Sequence, residues 1–274
     1  LLQDAFARDA TLLDRHSDAD HDRTVFTLAA DAAPLRDALL SGAEQAIETI
    51  EMTAYDGLHP AVGALDVCPI VWLDPEQRAA ARAEAFEVAE QIGGLGVPVF
   101  LYGGSASRPE HAERAYFRNG GLAELWLRME GGELRPDYGP AEPHRTAGVT
   151  LVTARPPLAA FNVELDSGDV ELARSVAAGL RESGGGPSGV RAIGLALAGG
   201  RTQVSTNVHD PFAVPLGAVV ERVRALAAPL GARPLEAEVV GLVPAVALTG
   251  FPEDVPIRGF DPAAQTIEAR LPAP

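Results

Sequence analysis

The sequence predicts an α+β fold of two ferredoxin-like (βαββαβ) subdomains with facing sheets and helices outside, and three observations carry that expectation. The second half runs strand, helix, strand, strand, helix, strand in a single pass. The first half repeats that order without its opening strand, and a proline-bearing junction at Arg155-Pro156-Pro157 separates the two. The subdomains are therefore expected over 1–157 and 158–274, each long enough to bury a core and together bounding a cleft.

In the second half, residues 158–165 alternate as a strand. Asp166-Ser167-Gly168-Asp169 then introduces a helix with Val170, Ala173, Val176, Ala177 and Leu180 at helical spacing, ended by the glycines at 184–186. Strands follow at 190–197 and 202–208, joined by the hairpin signal Gly199-Gly200-Arg201. A helix over 214–230 turns Val219, Val220, Val223 and Leu226 inward, and 237–242 closes as a strand. In the first half, a short helix over 1–8 leads to strands at 11–15 and 23–29. A helix over 34–51 carrying Leu35, Leu39, Ala46, Ile47 and Ile50 precedes a strand at 66–73. That order implies a strand ahead of Leu1. Asp74-Pro75-Glu76-Gln77 starts a further helix, with Asp at the cap, Pro in the first turn and Gln three residues on. It stops near Gly93-Gly94, and 97–102 reads as another strand. The proline-rich tail, 252–274, either packs back as a strand at 266–271 or stays mobile.

Composition narrows the function. Acidic residues number 38 against 22 basic ones, for a formal charge of -16, which argues against a general nucleic-acid role because phosphate contacts need a basic face. Every basic residue other than histidine is arginine, so lysine Schiff-base and P-loop lysine chemistry are excluded. Cys68 is the lone cysteine; it forms no intramolecular disulfide and suits a reducing cytoplasm. The best apolar run, 239–249, is short and contains Pro244, so no membrane span is expected.

Two passages carry chemistry. Residues 57–69 set His59 in a glycine- and proline-shaped loop just before an apolar strand, where an imidazole moves protons near neutral pH; the plainer alternative is a loop histidine that caps the strand. The run Asp14-Arg15-His16-Ser17-Asp18-Ala19-Asp20-His21-Asp22 is similar to the His-x-His-x-Asp-His ligand pattern of dizinc hydrolases. Against a metal-dependent hydrolase, Asp18 interrupts the pattern and His111, His144 and His209 show no paired spacing, so an acidic turn between two strands is the plainer reading.

Ordered segments across nearly the whole chain resemble the formiminotransferase domain family. They include Leu12-Leu13-Asp14, Asp22-Arg23-Thr24-Val25-Phe26-Thr27, His59-Pro60 with Gly63-Ala64-Leu65-Asp66-Val67-Cys68-Pro69, and Val97-Pro98-Val99-Phe100-Leu101-Tyr102-Gly103. Pro136-Asp137-Tyr138-Gly139-Pro140, Ala160-Phe161-Asn162-Val163, Gln203-Val204-Ser205-Thr206-Asn207 and Glu238-Val239-Val240-Gly241-Leu242-Val243-Pro244 continue the series. The resemblance implies transfer of the formimino group from N-formimino-L-glutamate to nitrogen-5 of tetrahydrofolate, the folate-dependent step of histidine breakdown, with no metal. It places the catalytic histidine at His59 and the folate-binding loop at 139–148, hence Gly139, Pro140, His144, Arg145 and Gly148. Carboxylate-bearing substrates want arginine, for which Arg23 and Arg155 are the candidates beside Arg145, and Asn207 is a further candidate donor. The expected partners are these small molecules and, as family members commonly do, a second copy in a homodimer.

The chain also departs from the family pattern. Members surround the key histidine as His-Arg-Gly-x-His-Pro-Arg, whereas this chain has Tyr55-Asp56-Gly57-Leu58-His59-Pro60-Ala61. His16 replaces an acidic residue, Asp22 an asparagine and Pro156 a lysine. Less positive charge weakens anion binding, which keeps open an altered substrate or a folate-binding relative without turnover.

Overall fold

Alanine-rich helical spacing in the first half produces helices that cover two small sheets. The computed structural model describes residues 1–18, 22–55, 60–197 and 199–272, divided into two units, Leu1–Arg155 and Pro156–Pro274. In the first unit, α1 (Leu2–Phe6) buries Phe6, and the long α2 (Ala32–Thr49) buries Ala38, Gly42, Ala43 and Ala46. Between them in the chain, β1 (Thr11–Asp18) and β2 (Arg23–Ala29) pair antiparallel from Thr11 opposite Ala29 to Asp18 opposite Arg23. The register shifts between Leu12 and Asp14, and Leu13 at that irregularity is buried. The Phe6 and Phe26 rings lie 5.1 Å apart and tie α1 to this hairpin.

The second sheet of the unit is parallel, in the order β3 (Val67–Val71), β5 (Thr150–Arg155), β4 (Val99–Leu101). α3 (Arg78–Gly94) lies between β3 and β4 in the chain, as the Asp74-Pro75 signal implies: the Asp74 carboxylate accepts from the Glu76 N–H at 2.9 Å. Beyond β4 come two helices that the periodicity did not announce, α4 (Ala115–Arg118) and α5 (Gly121–Glu130). The central strand β5 was likewise absent from the expected elements. Its residues Thr150 to Ala154 are all buried, as a strand covered on both faces must be, so it shows no alternation. Burial also pushes the Cys68 thiol on β3 up to about 12.

The second unit follows the βαββαβ order. β6 (Ala159–Leu165), α6 (Val170–Leu180), β7 (Val190–Ala196), β8 (Thr202–Val208), α7 (Leu216–Ala227) and β9 (Pro234–Val240) give an antiparallel sheet ordered β7-β8-β6-β9. Each helical crossover skips one strand, as the split unit requires. Asp169 caps α6 by accepting from Glu171 and Leu172 N–H groups. Phe161, Val163 and Leu165 meet Val176, Leu180, Val219 and Val223 in one core.

The strand expected at 266–271 is corrected. Asp261-Pro262 instead starts α8 (Pro262–Gln265), with the Asp261 carboxylate accepting from Ala263 N–H at 3.0 Å, and α9 (Ile267–Arg270) follows. The capped turn satisfies the local amides that a strand would have needed to pair. Only the backbone around Thr266 stays extended, bridged to Val243. Among the described residues, no helix is long and apolar enough to cross a membrane.

Candidate functional site

His59 lies outside the described residues, as do Ala19, Asp20 and His21 of the acidic run. The backbone on either side of 56–59 is described, and it meets the loop 139–148. Met52 N–H donates to the Thr146 carbonyl at 2.7 Å, on the N-terminal side. On the C-terminal side, Ala64 N–H donates to the Ala147 carbonyl at 2.9 Å and Val149 N–H to the Val62 carbonyl at 2.9 Å. This approach needs glycine: a Cβ on Gly148, whose φ is +70°, would sit 2.3 Å from the Val62 carbonyl oxygen, and one on Gly63 would sit 1.8 Å from that of Val149. The chain on both sides of the candidate histidine is thus fastened to the candidate folate loop.

Within that loop, His144 has a structural task. Its Nδ1 accepts from Ala147 N–H at 3.0 Å, while its carbonyl accepts from Gly148 N–H at 3.1 Å, closing the turn. Pro140 and Arg145 are exposed, and Gly139, at φ +81°, packs against Gly93. Arg145 lines an open groove of about 840 Å³ with Trp126, Arg135, Glu142 and Pro143.

A second open groove, about 820 Å³, includes Pro60, the residue bonded to His59, together with Arg114, Arg118 and Arg128 and the carboxylates of Glu113, Glu124 and Glu133. Its anchor is Asp66, just before β3. One oxygen accepts from Val62 N–H at 2.8 Å and the other is ion-paired to Arg118. Tyr55, at the other side of the 56–59 stretch, has its phenol pushed up first by burial and then by the nearby Asp22 and Asp66 carboxylates, with Arg118 and Arg23 opposing. Arg23, exposed at the start of β2, therefore shares the neighbourhood of Tyr55.

Arg155 ends β5 and donates a hydrogen bond to the Tyr102 hydroxyl. Burial pulls its guanidinium down, and Arg114 pulls it in the same direction. Burial also pushes the Tyr102 phenol up, so it stays protonated, and Arg114, Arg155 and Arg118 all act on it. Beneath this cluster, His111 is buried among Phe100, Tyr116 and Phe117; desolvation holds its pKa below the ordinary value, and neither ring nitrogen has a hydrogen-bond partner among the described residues. Asn207 belongs to the other unit. It is exposed within β8, opposite Ala160 and Arg191, and the following turn is closed by Asp210, whose carboxylate accepts from Phe212 and Ala213 N–H.

The sequence reading missed Tyr102, Arg114 and Arg118. The available signal was two arginines four residues apart, beside an aromatic pair, in a strongly acidic chain. Among the described residues, no group of three or more His, Cys, Asp or Glu side chains is placed to hold a metal ion.

Comparison with known proteins adds to this geometry. A family model described as the formiminotransferase domain, N-terminal subdomain, matches residues 2–155, and one described as the formiminotransferase domain matches 160–251. The glutamate formimidoyltransferase of Streptococcus pyogenes serotype M1 is 39% identical over 264 residues, covering 95% of this chain and 88% of that protein. That of Thermoplasma acidophilum is 33% identical over 267 residues, with the same two coverages of 95% and 88%. The formimidoyltransferase-cyclodeaminase of Gallus gallus is 35% identical over 249 residues, or 87% of this chain and 45% of that larger protein.

Proposed function

The chain belongs to the formiminotransferase domain family, and on that premise we propose that it transfers the formimino group of N-formimino-L-glutamate to nitrogen-5 of tetrahydrofolate. The observation that carries the reading is the fastening of the 139–148 loop to the backbone on both sides of the 56–59 stretch, through Met52, Val62 and Ala64. A folate-binding loop and a proton-transferring histidine must lie together for this chemistry, and these bonds join the segments that bear them.

The reaction asks for one group that takes and returns a proton. As nitrogen-5 attacks the amidine carbon, the new N–C bond forms and its proton must leave. As the glutamate nitrogen departs with the electrons of the old C–N bond, it must gain one. His59 accepts first and donates second, so atoms and charge balance without a metal or a covalent enzyme intermediate. Arg155, with Arg23 nearer Tyr55, supplies positive charge for substrate carboxylates. Gly139, Pro140, Arg145 and Gly148 form the folate loop, and His144 holds its turn through Nδ1. The two units are the paired formiminotransferase subdomains expected over 1–157 and 158–274; the second has the ferredoxin-like order, whereas the first divides its strands between a hairpin and a parallel sheet. The setting is a cytoplasmic homodimer in histidine breakdown, and Cys68 as the lone, buried cysteine fits a reducing compartment.

Release of glutamate from formimino-glutamate in the presence of tetrahydrofolate tests the reading. His59→Ala should lower kcat by about 10²- to 10⁴-fold; unchanged turnover would remove His59 from the mechanism. Folded wild-type protein that releases no glutamate overturns the transfer reading. If it still binds tetrahydrofolate, the loss of the basic residues usual around His59 has left a folate-binding relative.

A further inference from the structure

Arginines around the groove beside Pro60 differ in what already holds them. Arg118 is paired with Asp66. Arg128 donates to the Tyr116 carbonyl at 2.8 Å and to Glu133 at 2.9 Å, and rests on the Tyr116 ring. Arg114 is half-buried, its guanidinium carbon 5.9 Å from the centroid of the Tyr102 ring, and its side chain makes no hydrogen bond or ion pair among the described residues. Two like charges, on Arg118 and Arg155, lie within its electrostatic reach. Glu113, Glu124 and Glu133 line the same groove, Glu133 paired with Arg128, yet no ion pair joins any of them to the Arg114 guanidinium among the described residues. A carboxylate suits this position: it presents two oxygens to the planar fork of arginine and relieves the mutual repulsion of the cluster.

We infer that Arg114 binds the α-carboxylate of the amino-acid donor, working with Arg155, while the Tyr102 ring and hydroxyl hold the two guanidinium groups in place. The inference rests on the formimino-transfer reading for the identity of the donor. Bond counting selects the carboxylate. In formimino-glutamate only a nitrogen and one carbon separate the reacting amidine carbon from the α-carboxylate, so a group that grips it must stand close to His59. Pro60, bonded to His59, lines the same groove as Arg114. The carboxylates of tetrahydrofolate lie at the far end of its aminobenzoyl arm, remote from nitrogen-5.

Arg114→Ala and Arg114→Lys should be compared with wild type by calorimetric titration with formimino-glutamate and by steady-state kinetics. Loss of a charge-assisted contact predicts a rise of about 10- to 100-fold in the donor Kd and KM for Arg114→Ala. The kcat should stay within about threefold and the tetrahydrofolate KM should not move, since uniform binding alone is removed. Arg114→Lys should recover part of the loss because it keeps the charge without the fork. The formamidine of γ-aminobutyrate, which lacks the α-carboxylate, should bind wild type and Arg114→Ala alike. A folded Arg114→Ala with donor affinity within twofold of wild type overturns the inference, as does a loss confined to tetrahydrofolate. Wild type that binds the donor through Arg114 yet transfers nothing would sink the formimino-transfer reading and leave this carboxylate site standing; wild type that does not bind the donor sinks both.

Discussion

Arginine is used in opposite ways in the two units. On the face of the second unit's sheet away from its helices, Glu164 has a side chain only 2% exposed and lies 2.8 Å from Arg201 and 2.6 Å from Arg258. Glu236 meets the same two arginines at 3.1 and 3.2 Å, and Glu238 meets Arg258 at 3.3 Å. Three carboxylates therefore enclose two guanidinium groups. In the first unit Arg114, Arg118 and Arg155 all act on Tyr102; Asp66 is given to Arg118, and the Arg114 side chain makes no hydrogen bond or ion pair among the described residues, although Glu113, Glu124 and Glu133 line the same groove. Paired guanidinium groups spend their interaction on the fold, whereas one that rests only against a ring is available to an anion that arrives from outside.

Removing Glu164 is the strongest way to break this contrast. Glu164→Ala takes away the buried carboxylate that Arg201 and Arg258 share, and denaturant unfolding should show a loss of about 1–3 kcal/mol. A loss below about 1 kcal/mol would mean that Glu236 and Glu238 suffice and that the network is a solvated surface. Arg155→Ala should act differently, raising the donor KM about tenfold while far-UV dichroism stays unchanged. Should Arg155→Ala instead cost as much stability as Glu164→Ala with the KM unmoved, arginine would serve architecture in both units and the comparison would fail.

What could be read in advance follows the same division. The second unit was legible because each of its strands keeps one face on the core: Phe161, Val163 and Leu165 alternate along β6 with half-buried or ion-paired neighbours. Caps were legible for a local reason, since Asp74 and Asp169 bond amides only two or three residues away. β5 escaped because burial on both faces removes alternation, although the unbroken run Thr150-Leu151-Val152-Thr153-Ala154 is itself the mark of a central parallel strand. The tail misled because Thr266, Ile267 and Leu271 look strand-like, while Asp261-Pro262 is the stronger local signal. Of the site, the segments 57–69 and 139–148 stood out as motifs. The groove arginines did not, because the meaning of Arg114 depends on Tyr102, Arg118 and Arg155, which come from two strand ends and one short helix. Charge balance at a point in space has no signature along the chain.

The smallest effect sharpens the contrast at an exposed site. Glu182 in the second unit accepts from the Ser188 hydroxyl at 2.8 Å, Gly189 N–H at 3.2 Å and Arg191 at 2.6 Å, and these bonds, led by Arg191, pull its carboxyl down to about 2. An unfolded glutamate takes up its proton near pH 4.5, the ordinary value of this group. Between there and about pH 2 the unfolded chain holds more protons than the folded one, so stability must fall as the pH falls. With both side chains about 40% exposed, solvent screening should keep the contribution under about 1 kcal/mol. Thermal melts of wild type and Glu182→Gln should therefore differ slightly at pH 6 and converge as the solution is acidified through pH 4 toward pH 2. A gap that stays constant over that range would mean that the ionised carboxylate adds nothing to the fold.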